Sequence, residues 1–417
     1  MERKPDWLPG FPVQIYCNRR EIVLEKQTRS GWDTFKAWFG IGALMFGTYC
    51  GANMASGVYA SAYIVTLGGG WAFLWLAIFC FAMSFFCAIG LDFIRAYKTS
   101  NYNAYYLALY GVDKPNSNPV LKGIVTIFFD IYTILMGVVT VAATVALFAE
   151  LFNSLLGVPV FLGSVIAVLL FTVLTIYGAS FLRKFNTVMT ISLILSLVAI
   201  LIAVIVVRGD VLAERIGNFS IGPDWGLTTV SAHMSMFISY CFTTSNWGSS
   251  LSNYADQIHT KKDAIGSGIT IGVLVTLLFV MTGAIVLPFM PEVYEGTPIL
   301  MICQQYLSPV LTIVYWIVVI FSVVSTAPTF TFNVANRWSI VWKSEKVPQR
   351  VKFFVIALAF LLACWFISGV GLMAIVQKGY VLLGNLALFA IAIPLLISIV
   401  RVAKLDKANK KQAANNG

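Results

Sequence analysis

Gly47-Thr48-Tyr49-Cys50-Gly51-Ala52-Asn53-Met54-Ala55-Ser56-Gly57 interrupts the first long apolar segment of the chain, residues 35–65. That segment is long enough to cross a bilayer, because a spanning helix needs about 20 apolar residues. Three glycines and several small or polar residues near its centre predict a break in the helix. Non-helical backbone at this depth persists only where protein or a water-filled cavity satisfies its N–H and C=O groups. Such a break is typical of transporters, which use it to present backbone dipoles to a substrate and an ion.

The composition indicates a polytopic membrane protein. Hydrophobic residues make up 59% of the 417 residues and charged residues only 11%, a balance typical of chains whose surface faces lipid. The seven cysteines show no paired or metal-binding spacing, so we expect neither a disulfide nor a metal site from them.

The positions of the basic residues explain the net charge of +10 and predict the topology. Lysine and arginine are concentrated before residue 37, in alternate loops and after residue 400, whereas the intervening loops hold only Arg208, Arg215 and Lys378. This is the positive-inside pattern. It predicts a multi-pass protein of the cytoplasmic (plasma) membrane, surrounded by the lipid bilayer, with both termini in the cytoplasm. Because topology explains the charge, we expect no nucleic-acid partner.

Ten apolar segments predict an all-α polytopic membrane protein with ten transmembrane helices. A cytoplasmic N-terminal segment (1–34) precedes the transmembrane core (35–400), and a polar cytoplasmic tail (401–417), expected to be disordered, follows it. Residues 98–120 predict an interfacial helix between two spans, and residues 209–225 and 290–306 predict outward loops. The predicted spans are residues 35–65, 71–97, 121–152, 159–180, 185–208, 226–254, 263–289, 307–342, 350–369 and 376–400.

The core divides into two five-span halves, residues 35–208 and 226–400, with matching interruptions. Residues 239–250 place polar residues and a glycine in the first span of the second half, as residues 47–57 do in the first half. An odd number of spans per half inserts the second copy from the opposite side, so the pattern predicts a 5+5 inverted repeat with broken helices 1 and 6. Interrupted segments at corresponding positions of such a repeat indicate a central binding site.

These features resemble the leucine-transporter (LeuT) fold of the amino acid–polyamine–organocation (APC) superfamily, and within it the chain is most similar to the YkvI-like bacterial membrane proteins. The resemblance implies a transporter in which spans 1, 2, 6 and 7 rock against spans 3, 4, 8 and 9, with spans 5 and 10 as gates. It also implies that the loop 290–306 is a lid. The resemblance rests on residues 51–57, 238–240, 296–300 and 325–327.

The chain differs from the YkvI-like branch at two places in the first break. Asn53 stands where a glycine is usual, and Val58-Tyr59 stands where a Gln-Glu pair is expected. Neither break contains a carboxylate, so we expect backbone carbonyls and aromatic rings, rather than a salt bridge, to hold a substrate amine.

The substrate site is expected at the two breaks. In span 1, Ser56 and Gly57 begin the outer half-helix, whose free N–H groups and positive dipole end suit a carboxylate. In span 6, aromatic faces can hold an apolar group or a cation. The alternative interpretation is that the small residues only permit close helix packing and that the aromatic residues only pack against neighbouring spans. The candidate substrate-binding residues are Gly51, Asn53, Ser56, Gly57, Tyr240, Phe242, Thr243, Ser245 and Trp247.

Span 8 is the candidate ion site. Pro328 has no N–H, so the carbonyl of Val324 loses its helical partner and is free to turn toward a cation. The resemblance implies a sodium site between this region and the carbonyls around 50–53, with Cys50, Asn53, Ser325 and Thr326 as candidate ion-binding residues. The alternative is that the two hydroxyls only bond to the preceding helical turn while the proline kinks the helix. Beyond this Na⁺ no cofactor is expected.

Asp130 is an intramembrane carboxylate about 13 Å into span 3, at 1.5 Å per residue, and such a charge marks a functional site by default. It is a candidate for coupling or gating, through proton uptake or an inner gate with Lys36 or Arg337; the alternative is a static structural pair. Asp92 and Glu150 lie near span ends, where we expect them to be hydrated.

The sequence therefore predicts a secondary active transporter that moves a small amino acid or related zwitterion by alternating access, coupled to sodium. The alternatives are a proton-coupled symporter or exchanger of a betaine-like or other organic solute, and a solute channel. The chain has two histidines and no His-Glu-x-x-His or Gly-x-Ser-x-Gly element, so we expect no enzyme. The oligomeric state has no signature in the sequence.

Overall fold

The computed structural model describes residues 30–49, 52–99, 101–176, 179–220, 252, 255, 258–294, 297–344, 346–371 and 375–415. Every regular element in these ranges is helical. Seven of the described helices are long and apolar enough to cross a membrane. The helices are α1 (Gly31–Tyr49), α2 (Ala52–Ala55), α3 (Val58–Tyr63), α4 (Gly69–Tyr97), α5 (Tyr102–Leu109), α6 (Pro119–Leu156), α7 (Val160–Ile176), α8 (Ala179–Gly217), α9 (Lys261–Val286), α10 (Pro298–Tyr306), α11 (Pro309–Val341), α12 (Gln349–Ser368), α13 (Tyr380–Ala387) and α14 (Ile393–Asn415).

Helix starts follow local sequence signals. α6 begins after Asn118, whose side chain accepts a hydrogen bond from the Val120 N–H, and Pro119 fills its first position. α9 begins with a capping box in which Thr260 and Asp263 bond to each other's backbone N–H. These residues satisfy N–H groups that the first helical turn leaves without a partner.

The first span is broken where the glycines predict it. Helix α1 ends at Tyr49, α2 covers four residues, and α3 starts at Val58. A short 3₁₀ turn, Val65–Leu67, then leads toward α4. Most of the sixth predicted span, including its interruption at 239–250, lies outside the described residues.

Two predictions about helix length are wrong. Helix α8 continues to Gly217, so the predicted loop 209–225 begins inside a helix; non-helical angles at Arg208 (φ −139°, ψ 35°) mark a kink where the apolar span gives way to charged residues. The tail is not disordered to its end, because α14 runs to Asn415. Lysine and alanine have high helix propensity, and a helix continuing from a span needs no new nucleus.

Two groups of helices pack within themselves. Helices α4 and α9 form the most extensive helix pair among the described residues. Glycines permit their close approach, because a Cβ at Gly268 would collide with the backbone of Ala88 and one at Gly272 with Ser84. In the second group, here called the scaffold, each of α6, α7, α11 and α12 packs against the other three. The groups coincide with spans 2 and 7 and spans 3, 4, 8 and 9 of the expected two-body arrangement.

The last span is irregular. Two π-helical segments, Ile375–Gly379 and Leu388–Ala392, flank α13, and α14 follows without a break. Such segments are frequently found at functional sites. We call the end of the helices that carries Tyr97, Pro119 and Lys261 the basic end, and the opposite end, which carries α10, the lid end.

Candidate substrate and ion site

The break between α2 and α3 depends on a left-handed glycine. Gly57 has φ 85° and ψ −3°, a conformation that residues with a Cβ rarely adopt. Its N–H donates to the Met54 carbonyl at 3.1 Å. A Cβ at this position would also lie 2.8 Å from Ile299 Cγ1 of α10. Gly57 therefore allows both the turn and the close approach of α10.

Two carbonyls of the break are satisfied by other helices. The Tyr315 hydroxyl of α11 donates to the Ala55 carbonyl at 3.0 Å. The Ile299 N–H, at the start of α10, donates to the Ser56 carbonyl at 3.0 Å. Ala55 and Ser56 belong to the first span. Their carbonyls are therefore held by the scaffold, through Tyr315, on one side and by the expected lid, through Ile299, on the other. This is how the structure meets the requirement that buried backbone groups be paired.

Ser56 is fully buried and its hydroxyl acts locally. Its Oγ accepts a hydrogen bond from the Val58 N–H at 3.3 Å, which caps the start of α3. The Val58 N–H, one of the groups expected to face a substrate carboxylate, therefore already has a partner in the protein. Cys50 and Gly51 lie outside the described residues, and for Asn53 the structure describes the backbone alone.

The candidate residues of the sixth span lie outside the described part of the chain. They are Tyr240, Phe242, Thr243, Ser245 and Trp247. Nearby, Ser252 is described and buried, and its hydroxyl lies 3.0 Å from that of Thr99, just beyond the end of α4.

The ion-site candidates of span 8 lie midway along α11. Thr326 is buried, and its hydroxyl donates to the Ser322 carbonyl at 3.1 Å, which is the back-bond named as the alternative. That bond uses the hydroxyl proton and leaves the oxygen lone pairs available to a cation. Pro328 lies inside the helix, so the Val324 carbonyl lacks its usual donor. The side chain of Ser325 lies outside the described residues. The described donor set, hydroxyl and carbonyl oxygen, suits a hard cation such as Na⁺.

A cluster of hydroxyl groups beside the break was missed by the sequence analysis. Tyr380 in α13 lies 2.9 Å, oxygen to oxygen, from Thr140 in α6. Its ring meets that of Tyr59 edge-on, with centroids 5.7 Å apart. All three residues are buried. Tyr59 directly follows the break, so the cluster joins α3 to the scaffold and to the π-helical part of the last span. The available signal was polar side chains inside apolar spans.

The lid end has its own cationic contact. The Arg208 guanidinium lies over the rings of Phe289 and Tyr306, 4.5 and 4.8 Å from their centroids, and donates to the Pro288 carbonyl at 3.0 Å. The kink in α8 therefore places a charge against the segment that leads into α10.

Asp130 pairs with Arg337, one of the two basic residues proposed for it. Arg337 donates to both carboxylate oxygens, at 3.2 and 3.1 Å, and the Tyr102 hydroxyl of α5 donates at 2.6 Å. We call Tyr102, Asp130 and Arg337 the scaffold cluster, because α6 and α11 both belong to the scaffold. Burial, and then the hydrogen bond to Asp130, raise the pKa of Tyr102 well above its ordinary value. The second proposed partner, Lys36, forms an exposed pair with Asp33.

A second ionic group lies at the basic end of α4. Arg95 pairs with Asp92 at 2.7 Å and with Asp406 of α14 at 2.7 Å, and exposed Lys261 lies 3.7 Å from Asp92. We call these four residues the bundle cluster. The prediction that Asp92 is hydrated is wrong, because its side chain is buried and paired with Arg95.

Glu150 also differs from its expected hydrated environment. It is partly buried and lines a cavity between α6, α7 and α12. The sequence placed it correctly near a span end but carried no sign of the apolar side chains around it.

Comparison with known proteins identifies the fold. No protein-family model and no curated protein match the chain. Among solved structures, it is similar to MhsT in complex with L-phenylalanine, with a TM-score of 0.60, 15% identity, and coverage of 84% of this chain and 87% of that one. It is also similar to the substrate-bound, outward-open state of a Na⁺-coupled sialic acid symporter (TM-score 0.57, 13% identity, 88% and 80% coverage). A third match is the inward-facing conformation of Mhp1 (TM-score 0.53, 16% identity, 85% and 73% coverage).

Proposed function

The chain is an all-helical membrane protein with the LeuT fold, and from this premise we propose that it is a secondary active transporter rather than an enzyme. In this proposal it moves a small amino acid or related zwitterion by alternating access, coupled to sodium, and belongs to the APC superfamily near its YkvI-like branch. Its termini lie in the cytoplasm, and residues 35–208 and 226–400 are its two inverted repeats.

The observation that carries the proposal is the break at Gly57. Its left-handed backbone lies inside the first predicted span, and its neighbours' carbonyls are held by α11 and α10 rather than by a continuous helix. A protein that only needed to span the membrane would gain nothing from interrupting a helix there, since each unpaired backbone group costs free energy. A site whose partners can be exchanged for a ligand explains the break.

Sodium coupling is supported by the oxygen groups midway along α11. Thr326 and the Val324 carbonyl, which lacks its helical donor because of Pro328, lie two residues apart on a helix that contacts the break through Tyr315. Proton coupling through Asp130 has less support, because both of its carboxylate oxygens already accept hydrogen bonds from Arg337. We infer that Asp130 holds α5 against the scaffold, since its partners do not cross between the two groups of helices.

A zwitterionic substrate is supported by the neutral character of both breaks. Neither contains a carboxylate, so a substrate with two positive charges would have no counter-ion there. A carboxylate of the substrate would meet N–H groups of the broken helix, and its amine would meet backbone carbonyls. MhsT, a protein of similar fold, is known in complex with L-phenylalanine, which is in keeping with this class of ligand.

The first test is thermal stability of the purified protein against amino acids and betaines, in sodium chloride or choline chloride. Binding stabilises a folded state by RT ln(1 + [L]/Kd), so a weak ligand is detected at millimolar concentration. We expect a shift that needs both one zwitterion and sodium. A shift without sodium would favour proton coupling or exchange, and no shift with any zwitterion would contradict the substrate class.

The double variant Ser325→Ala/Thr326→Ala tests the ion site. It should remove the sodium-dependent part of the shift while leaving the unliganded unfolding temperature within a few degrees of the wild type, because Ser325→Ala deletes only a hydroxyl and Thr326→Ala only a hydroxyl and a methyl group. Thr331→Ala is the matched control, since Thr331 makes the same kind of back-bond one turn further along α11, to Ala327. Unchanged sodium dependence in the double variant would contradict the assignment of the ion site.

A further inference from the structure

A cavity of about 470 Å³ lies at the lid end of the scaffold, away from the break in the first span. It opens between the end of α6, the start of α7 and the end of α12. Among the residues that line it, all within the described part of the chain, Glu150 is the only ionisable one. The transport proposal assigns it no role.

The other polar side chains of the cavity are already paired. The Ser164 hydroxyl accepts from Trp365 Nε1 at 2.7 Å and donates to the Phe161 carbonyl at 2.7 Å. The Ser368 hydroxyl donates to the Trp365 carbonyl at 2.7 Å. No described residue forms a hydrogen bond or ion pair with the Glu150 carboxylate. The cavity therefore presents one unpaired carboxyl group among side chains that are otherwise satisfied.

The rim of the cavity is apolar and exposed at the surface of the protein. The side chains of Phe161 and Phe366 are 67% and 75% exposed, on the surface where lipid is expected. Trp365, whose ring contacts that of Phe161, forms part of the wall. A ligand can therefore enter from the membrane with its apolar part against aromatic side chains.

We propose that this cavity binds a free lipophilic monoamine, with the ammonium group paired to Glu150 and the apolar body against Trp365 and the two phenylalanines. A partly buried carboxylate without a cation is costly, and an ammonium is the group that satisfies it. Aromatic faces also attract cations. A phospholipid amine fits poorly, because its phosphate would lie near the carboxylate and the lining side chains hold no unspent donor for it.

The test measures binding of 2-phenylethylamine and of its neutral analogue 2-phenylethanol by thermal stability, in nanodiscs of phosphatidylglycerol, which has no amine. Wild-type protein should bind the amine about tenfold or more tightly than the alcohol, the difference expected for one bond to a charged group. In Glu150→Gln the two probes should bind alike. Glu292→Gln, which removes an exposed carboxylate and makes the same change in net charge, should behave as wild type.

A second variant guards against a folding defect in Glu150→Gln. Ala146→Leu should fill the cavity and abolish binding of both probes while retaining Glu150. Equal binding of amine and alcohol by the wild type, or retained preference for the amine in Glu150→Gln, would overturn the proposal. So would a Glu150-dependent stabilisation by phosphatidylethanolamine nanodiscs without added probe, because the occupant would then be a lipid headgroup.

Discussion

The scaffold cluster and the bundle cluster lie at the same end of the molecule and are built in different ways. In the scaffold cluster one carboxylate, Asp130, receives three hydrogen bonds, and among the described residues it shares its arginine with no other acid. In the bundle cluster one guanidinium, Arg95, is shared by two carboxylates from α4 and α14. Within the described part of the chain, Asp130 and Arg337 each have no second ionic partner, so losing one of them ends the ion pair. Arg95, by contrast, keeps one carboxylate partner when the other is lost. This suits a fixed support in the scaffold and an exchangeable contact at α14, part of the span expected to act as a gate.

The largest effect is expected from breaking the scaffold cluster. Arg337→Gln leaves the Asp130 carboxylate partly buried with only Tyr102, and should lower the free energy of unfolding by about 3 kcal/mol. The double variant Asp130→Asn/Arg337→Gln should recover much of this loss, because no unpaired charge remains. Thermal unfolding in detergent measures both. A double variant less stable than the single one would show that the pair is not the source of the effect.

Arg95→Gln should have the next largest effect, about 2 kcal/mol, because it leaves Asp92 and Asp406 facing each other without the cation between them. Lys261 compensates little, since it is exposed and 3.7 Å from Asp92. Added salt should reduce the loss by screening the repulsion. If the variant were no less stable than Asp406→Asn, the description of Arg95 as a shared partner would be wrong.

Tyr102→Phe should cost about 1.5 kcal/mol at neutral pH, since it removes one hydrogen bond to a charged group while Arg337 remains. Folding raises the pKa of Tyr102, so as pH rises the tyrosine ionises in the unfolded chain before it does in the folded protein, at about pH 10. The folded state then holds the proton longer, and the wild type loses stability as pH rises above that value. The difference between variant and wild type should therefore shrink above about pH 10. A constant difference would contradict the raised pKa.

Asp406→Asn should have the smallest effect on stability, about 0.5–1 kcal/mol, because Arg95 keeps Asp92 and the Asp406 side chain is 25% exposed. Its effect should appear instead in the rate of solute exchange by reconstituted protein, since it frees α14 from α4. Lys261→Met is the control, as it also removes a bundle-cluster charge but leaves the contact with α14. Equal changes in exchange rate in both variants would contradict a specific role for α14.

The sequence predicts the structure correctly where a local pattern has a local consequence. Glycines and small residues located the break in the first span, and apolar segments located the membrane helices. It was wrong where a helix continues past the membrane, as in α8 and α14, because charged residues end an apolar pattern without ending a helix. The clusters could not be predicted in full, since Arg95 and Asp406 are 311 residues apart in the chain and meet only through the packing of α4 and α14.

The candidate site shows the same division. Gly57 is recognisable from sequence because only glycine readily adopts its backbone angles. Tyr315 and Ile299, which hold the adjacent carbonyls, are ordinary apolar-helix residues of α11 and α10. Nothing in their local sequence indicates a partner in the first span. Tyr59, Thr140 and Tyr380 were missed for the same reason.

Counterflow in proteoliposomes tests the central claim, transport by alternating access, most directly. Vesicles are loaded with an unlabelled excess of the zwitterion that gives the sodium-dependent stability shift, and a trace of labelled compound is added outside in equal sodium. The account predicts a transient accumulation of label above its equilibrium level that saturates with concentration, because a single site carries solute both ways. A monotonic, non-saturating entry would contradict it and indicate a channel.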